Sequence, residues 1–192
     1  MLEELDCDDI LLLKAMSAQS KLDTRSIMLA VNFKRTKFYN CMNKLIRLGL
    51  VNRVLTGEYE LTEKGKMLAE RLVDPMNALE VLRGDGQPLK LKMDTSEVEV
   101  RNLSELREIV ERVKDEDLYR CIRTSSLSRW LHNIGDTFLS RELNKLRTTV
   151  TKDAVKERLK TVLDERIKFL EVLISKASSR RGRFANKHLD AH

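Results

Sequence analysis

The stretch from Leu48 to Leu61 constrains this fold most. A helical run closes at Gly49, and two short alternating segments follow, residues 50–55 and 58–61, joined by Thr56-Gly57. Gly at a helix end is the usual left-handed cap, and a Thr-Gly pair between two strand-like runs signals a tight hairpin. Almost everywhere else apolar residues recur at three and four positions, and the chain holds only 2 Pro and 7 Gly in 192 residues. The prediction is a mainly α protein in which one small hairpin is inserted between helices.

Three helices precede that hairpin. Asp8-Asp9 opens the first, whose Ile10, Leu11, Leu12, Leu13, Ala15 and Met16 cover more than one face, as in a helix buried at the centre of a small domain. Asp23 or Thr24 caps a short second helix reaching about Val31, with Ile27, Met28 and Val31 inward. Asn32-Phe33-Lys34 makes a turn into a third helix over residues 35–48. Its Phe38, Met42, Leu45 and Ile46 lie on one side, and Lys37, Asn40, Lys44 and Arg47 on the other. After the hairpin, residues 62–66 lead into a fourth helix over residues 67–72.

Charge is sorted along this segment. Residues 1–23 carry Glu3, Glu4, Asp6, Asp8, Asp9 and Asp23, whereas residues 24–57 contain no acid and carry Arg25, Lys34, Arg35, Lys37, Lys44, Arg47 and Arg53. The chain as a whole has a net charge of +6, and this block concentrates the excess where a polyanion could meet it.

Helix, helix-turn-helix, two-stranded wing, helix is the winged-helix order. The residues Phe38-Tyr39-x2-Met42-x2-Leu45-x2-Leu48-Gly49-Leu50-Val51, followed by Tyr59-x-Leu61-Thr62-x2-Gly65, resemble the winged helix-turn-helix transcriptional regulators of bacteria and archaea over about residues 7–73. The resemblance implies a domain whose third helix enters the major groove of double-stranded DNA while the hairpin touches backbone or minor groove. On that geometry Lys34, Arg35, Thr36, Lys37, Tyr39 and Asn40 stand at or near the start of the reading helix. Arg35 is expected to read guanine and Asn40 adenine, while Thr36 and Tyr39 hold phosphates. Lys44 and Arg53 are backbone candidates, and Thr56 marks a short wing tip beside the unfavourable Glu58, so Arg53 should do most of the wing's work.

Residues 1–75 are therefore expected as the winged-helix domain. Asp74-Pro75, Gly84-Asp85-Gly86 and Pro88 punctuate a linker over residues 76–96, where alternation in residues 89–93 and 98–100 allows one short hairpin. A helical domain follows over residues 97–177. It comprises segments at residues 103–113, 116–122, 125–134 and 137–146 and a long last helix at residues 151–177, with Val155, Leu159, Val162, Leu163, Ile167, Leu170, Leu173 and Ile174 as its stripe. Ser126-Leu127-x2-Trp130-Leu131-x2-Ile134-Gly135-Asp136, with its flanking helices, is similar to a small helical domain of bacteria and archaea without assigned chemistry, which implies no functional residue here. The wide stripe of the last helix suggests a homodimer, which would couple two half-sites. Residues 178–192, with Arg180, Arg181 and Arg183, read as a basic, helix-poor tail able to add phosphate contacts.

Other classes find little support. Cys7, Cys41 and Cys121 form no CxxC pair, so neither a disulfide framework nor a zinc site is expected, although Cys7 near the start keeps a redox-sensing thiol open. His132, His188 and His192 are too scattered for a metal triad, and no phosphate loop or Ser-His-Asp arrangement stands out. Trp130 fits a core position. Neither an enzyme nor a cofactor is expected. An acidic start and the lack of any eighteen-residue apolar window predict a cytoplasmic, nucleoid-associated protein without membrane contact. The functional expectation is a sequence-specific DNA-binding regulator. Two alternatives are an architectural protein coating DNA through charge and a winged helix that binds another protein.

Overall fold

A computed structural model describes residues 2–19, 23–92 and 97–187, with side chains described throughout except at 75, 76 and 179–187. The chain divides into two compact units, one comprising the residues up to Leu72 together with the end of the last helix from Lys176, the other Val73–Ser175. Within the described residues the architecture is mainly α with two small hairpins.

In the first unit, α1 spans Cys7–Ser17. Its start lies one residue before the expected Asp8 because Asp6 forms a capping box. The Asp6 carboxylate accepts the N–H groups of Asp8 and Asp9, and the Asp9 carboxylate accepts that of Asp6 at 2.9 Å. Helix α2, Thr24–Val31, is capped by Asp23, whose carboxylate accepts the Ser26 N–H and hydroxyl. It ends at Asn32, which adopts the left-handed region at φ 51°. Helix α3, Arg35–Arg47, then runs to Gly49 at φ 68°.

Strands β1, Val51–Leu55, and β2, Glu58–Leu61, pair antiparallel with Val51 opposite Leu61 and Arg53 opposite Tyr59, and a bulge falls at Val54. Helix α4, Glu63–Arg71, starts earlier than residue 67 because Thr62 caps it. The Thr62 hydroxyl donates to the Gly49 carbonyl at 2.8 Å while its oxygen accepts the Gly65 N–H at 3.0 Å. A Cβ on Gly65 would lie 2.0 Å from the Leu50 carbonyl oxygen, so the Leu-Thr-x-x-Gly pattern has a steric origin. Leu12, Leu13, Met16, Ile27, Phe38, Met42, Leu45 and Leu50 form the buried centre.

The second unit begins earlier than the expected domain at residue 97. Helix α5, Pro75–Arg83, buries Ala78, Val81 and Leu82, and β3, Leu89–Lys92, pairs with β4, Glu97–Val100, burying Leu89, Leu91 and Val100. Residues 76–96 are thus in large part structured within this unit rather than a linker; Met93, included in the expected alternation, lies outside the described residues. Helices α6, Leu103–Arg112, α7, Asp115–Arg123, α8, Ser126–Asn133, and α9, Thr137–Thr149, follow. A 3-10 turn at Lys152–Ala154 precedes α10, Val155–Lys187. Buried Trp130 donates its indole N–H to the Gln87 carbonyl at 2.9 Å. Arg166, 1% exposed, donates from Nε and Nη2 to the two carboxylate oxygens of fully buried Asp136, at 2.7 and 2.9 Å. Its guanidinium also lies against the Phe138 and Phe169 rings. Asp136 itself caps α9 by accepting the Leu139 N–H.

Two expectations for the last helix change. Val155, Leu159, Leu163, Leu170 and Leu173 are buried within the single chain, and Val162, Ile167 and Ile174 are half-buried, so among the described residues the stripe itself is not a wide exposed apolar face. The helix also runs past residue 177 into the segment read as helix-poor. The side chains of Arg180, Arg181 and Arg183, and all of His188 and His192, lie outside the described residues.

Candidate nucleic-acid interface

Helix α3 buries Phe38, Cys41, Met42 and Leu45, and this fixes what it turns outward. The opposite face carries Thr36, Asn40, Asn43 and Arg47 on successive turns, all exposed. Asn40 and Thr36 belong to the expected site. Asn43 and Arg47 do not, yet the helical spacing of three and four residues that places the core residues also identifies both.

At the start of the helix, Lys34 occupies the N-cap position without a side-chain hydrogen bond to the following backbone. The first N–H groups of α3 are therefore left without a side-chain acceptor, beside two cations, as a phosphate would require. Arg35 is exposed, and its guanidinium lies 5.8 Å from the centre of the Tyr39 ring. Tyr39 is half-buried and meets Phe38 edge to face at 5.3 Å, so much of its ring serves packing.

Two of the expected contacts point elsewhere. Lys44 lies 2.5 Å from the Asp9 carboxylate and 3.3 Å from that of Asp6, with Asp9 only 1% exposed. Lys37 lies 2.8 Å from Asp8, with its ammonium 4.5 Å from the Phe33 ring centre. The acidic start of the chain therefore neutralises the α1 side of α3. Although burial opposes its charge, Lys44 is held above the ordinary lysine pKa by Asp9 and Asp6. Asp6 is likewise held below the ordinary carboxylate value: burial opposes this, but the Asp9 N–H and the Lys44 ammonium outweigh it. Among the described residues Lys34, Arg35, Arg47 and Arg53 take part in no ion pair.

The hairpin is fixed to the helix-turn-helix at its tip. Thr24 donates both its N–H, at 2.8 Å, and its hydroxyl, at 3.1 Å, to the Gly57 carbonyl, and Asp23 bridges to Glu58. Gly57 permits this turn at φ 84°. Thr56 is exposed beside it. Arg53 stands opposite Tyr59, on the strand face that carries Val51 and Leu61, and the Tyr59 ring meets Phe38 of α3 at 6.3 Å. Arg53 is exposed there, whereas Glu60 alternates to the other face and accepts from the Asn52 amide at 3.3 Å.

The buried thiol of the first unit's core offers little reactivity. Cys41 is pushed up to about 12 by burial and by the charge and hydrogen bonding of Asp9, so almost no thiolate exists near neutrality. In the second unit, burial likewise raises Cys121. Among the described residues no group of His, Cys, Asp and Glu could hold a metal ion, and no helix is long and apolar enough to cross a membrane. No family model, curated protein or solved structure matches this chain.

Proposed function

We propose that the first unit binds double-stranded DNA with α3 in the major groove, and that the protein is a sequence-specific transcriptional regulator. The observation carrying this reading is the outward row Thr36, Asn40, Asn43 and Arg47, flanked by Lys34, Arg35 and Arg53, with carboxylates drawn to the α1 side. Phosphate contacts from the flanking cations would supply affinity, and the polar row would supply preference. An architectural protein would need cations, not amides, at the centre of that face. No catalytic chemistry or cofactor is part of the proposal, and a cytoplasmic location on the nucleoid goes with it. A homodimer rests on energetic grounds alone: one small module buries too little surface for strong specific binding.

One observation favours a second reading. Leu29 is 75% exposed, Leu55 62% and Val54 53%, large apolar groups that a protein partner would cover. Selection from a random duplex pool followed by titration separates the readings. Regulation predicts an enriched site bound on the order of 10³-fold or more over scrambled duplex. Equal affinity for all duplexes with a steep salt slope would establish the architectural alternative, and no binding even at low salt would leave protein recognition.

A further inference from the structure

We infer that α3 reads neighbouring A·T base pairs, through Asn40 and Asn43. The inference rests on the DNA-binding reading above and names what that surface recognises. Both residues are exposed on the outward face of α3, and among the described residues neither amide has a hydrogen-bond partner. A side-chain amide presents a donor and an acceptor in one plane. Adenine alone offers the matching pair in the major groove, its N6–H to the amide oxygen and its N7 to the amide N–H. Guanine shows two acceptors there, cytosine one donor, and phosphate only acceptors. Each of these leaves one half of the amide unmet in a desolvated groove, where an unsatisfied polar group is costly.

Spacing makes the two amides a pair. Three residues of helix advance about 4.5 Å, with the side chains about 60° apart around the axis. Successive base pairs lie about 3.4 Å apart, so Asn40 and Asn43 address adjacent or nearly adjacent pairs. Thr36, one turn before Asn40, brings a methyl group suited to the thymine C5-methyl. Arg47, one turn beyond Asn43, brings the row's only cation and takes a phosphate at its end. Arg35 lies off this row and over the Tyr39 ring, so the guanine contact expected of it is not part of the inference.

The test uses the full-length protein and the duplex it selects from a random pool. 7-Deazaadenine, which lacks the N7 acceptor, is placed singly at each adenine of the selected site. Wild type should lose roughly 5- to 150-fold in affinity at each of two neighbouring positions. In Asn43→Ala one of those positions should become indifferent to the analogue while the other keeps its effect, and Asn40→Ala should show the converse. A selected site without neighbouring A·T pairs overturns this inference and leaves the regulator standing. The same holds if wild type is indifferent to every 7-deazaadenine. Failure to select any site overturns the underlying DNA reading instead.

Discussion

Lys44 separates a DNA contact from an internal latch, because its substitution has opposite signatures in the two cases. As a phosphate contact it would contribute to the salt dependence of binding, about 0.9 in the slope of log K against log salt concentration. The geometry argues otherwise: its ammonium sits 2.5 Å from a carboxylate that is 1% exposed, and a second carboxylate flanks it at 3.3 Å. Removing one partner of a buried pair costs about 3–5 kcal/mol, and because Lys44 is itself 27% exposed, water relieves part of that, leaving about 2–3 kcal/mol. Lys44→Ala should therefore lower the stability of the first unit, read as lost hydrogen-exchange protection in α1 and α3 of the full chain. The salt slope should stay unchanged. Arg53→Ala should do the reverse, shallowing the slope by roughly 0.9 with protection intact. If Lys44→Ala shallows the slope and leaves protection untouched, the latch does not exist as described and Lys44 belongs among the phosphate contacts.

Three further outcomes follow from the packing. Arg166→Met should cost the second unit about 3–5 kcal/mol in urea titration, because the Asp136 carboxylate stays buried without the guanidinium that pairs with it; Trp130, the sole tryptophan, reports it. Adding Asp136→Ser, which removes the charge but keeps a capping oxygen, should restore most of the loss, and a cost below about 1 kcal/mol for the single change would refute the account. Gly65→Ala forces a methyl group onto the Leu50 carbonyl and should destabilise by about 3 kcal/mol, at the upper end of overpacking, seen as weakened exchange protection across β1 and β2. The Asp6–Lys44 contact sets a pH window for α1 and α3 protection. Asp6, held low, contributes fully above about pH 4 and loses its contribution as pH falls through its folded value, whereas Lys44, held high, contributes fully below about pH 10 and loses it above. Protection that varies strongly between pH 6 and 9, about mid-window, would contradict both directions.

How far the sequence carried depends on whether the signal was local. The hairpin was legible because Thr56-Gly57 and the alternation around it are properties of adjacent residues, and Gly57 does take a positive φ. The start of α2 was legible for the same reason, to within the choice between Asp23 and Thr24 that the fold resolves as Asp23. Helix α5 was harder: Pro75 reads as a breaker, yet Pro is also a favoured first helical residue, and Ala78, Val81 and Leu82 carry the spacing of a buried helix face. The fate of Lys37 and Lys44 lay beyond local reading. Acidic and basic blocks were each visible, but only folding lays the N-terminus of α1 against α3, and that pairing is what withdraws Lys37 and Lys44 and leaves Arg25, Lys34, Arg35, Arg47 and Arg53 as the exposed charge of the block. The narrowing bears on mechanism. A helix basic all round would bind any duplex, whereas one whose cations are drawn aside leaves amides at its centre. A protein of that kind must gain its affinity at the edges and its preference in the middle, so edge and centre substitutions should change different measurements.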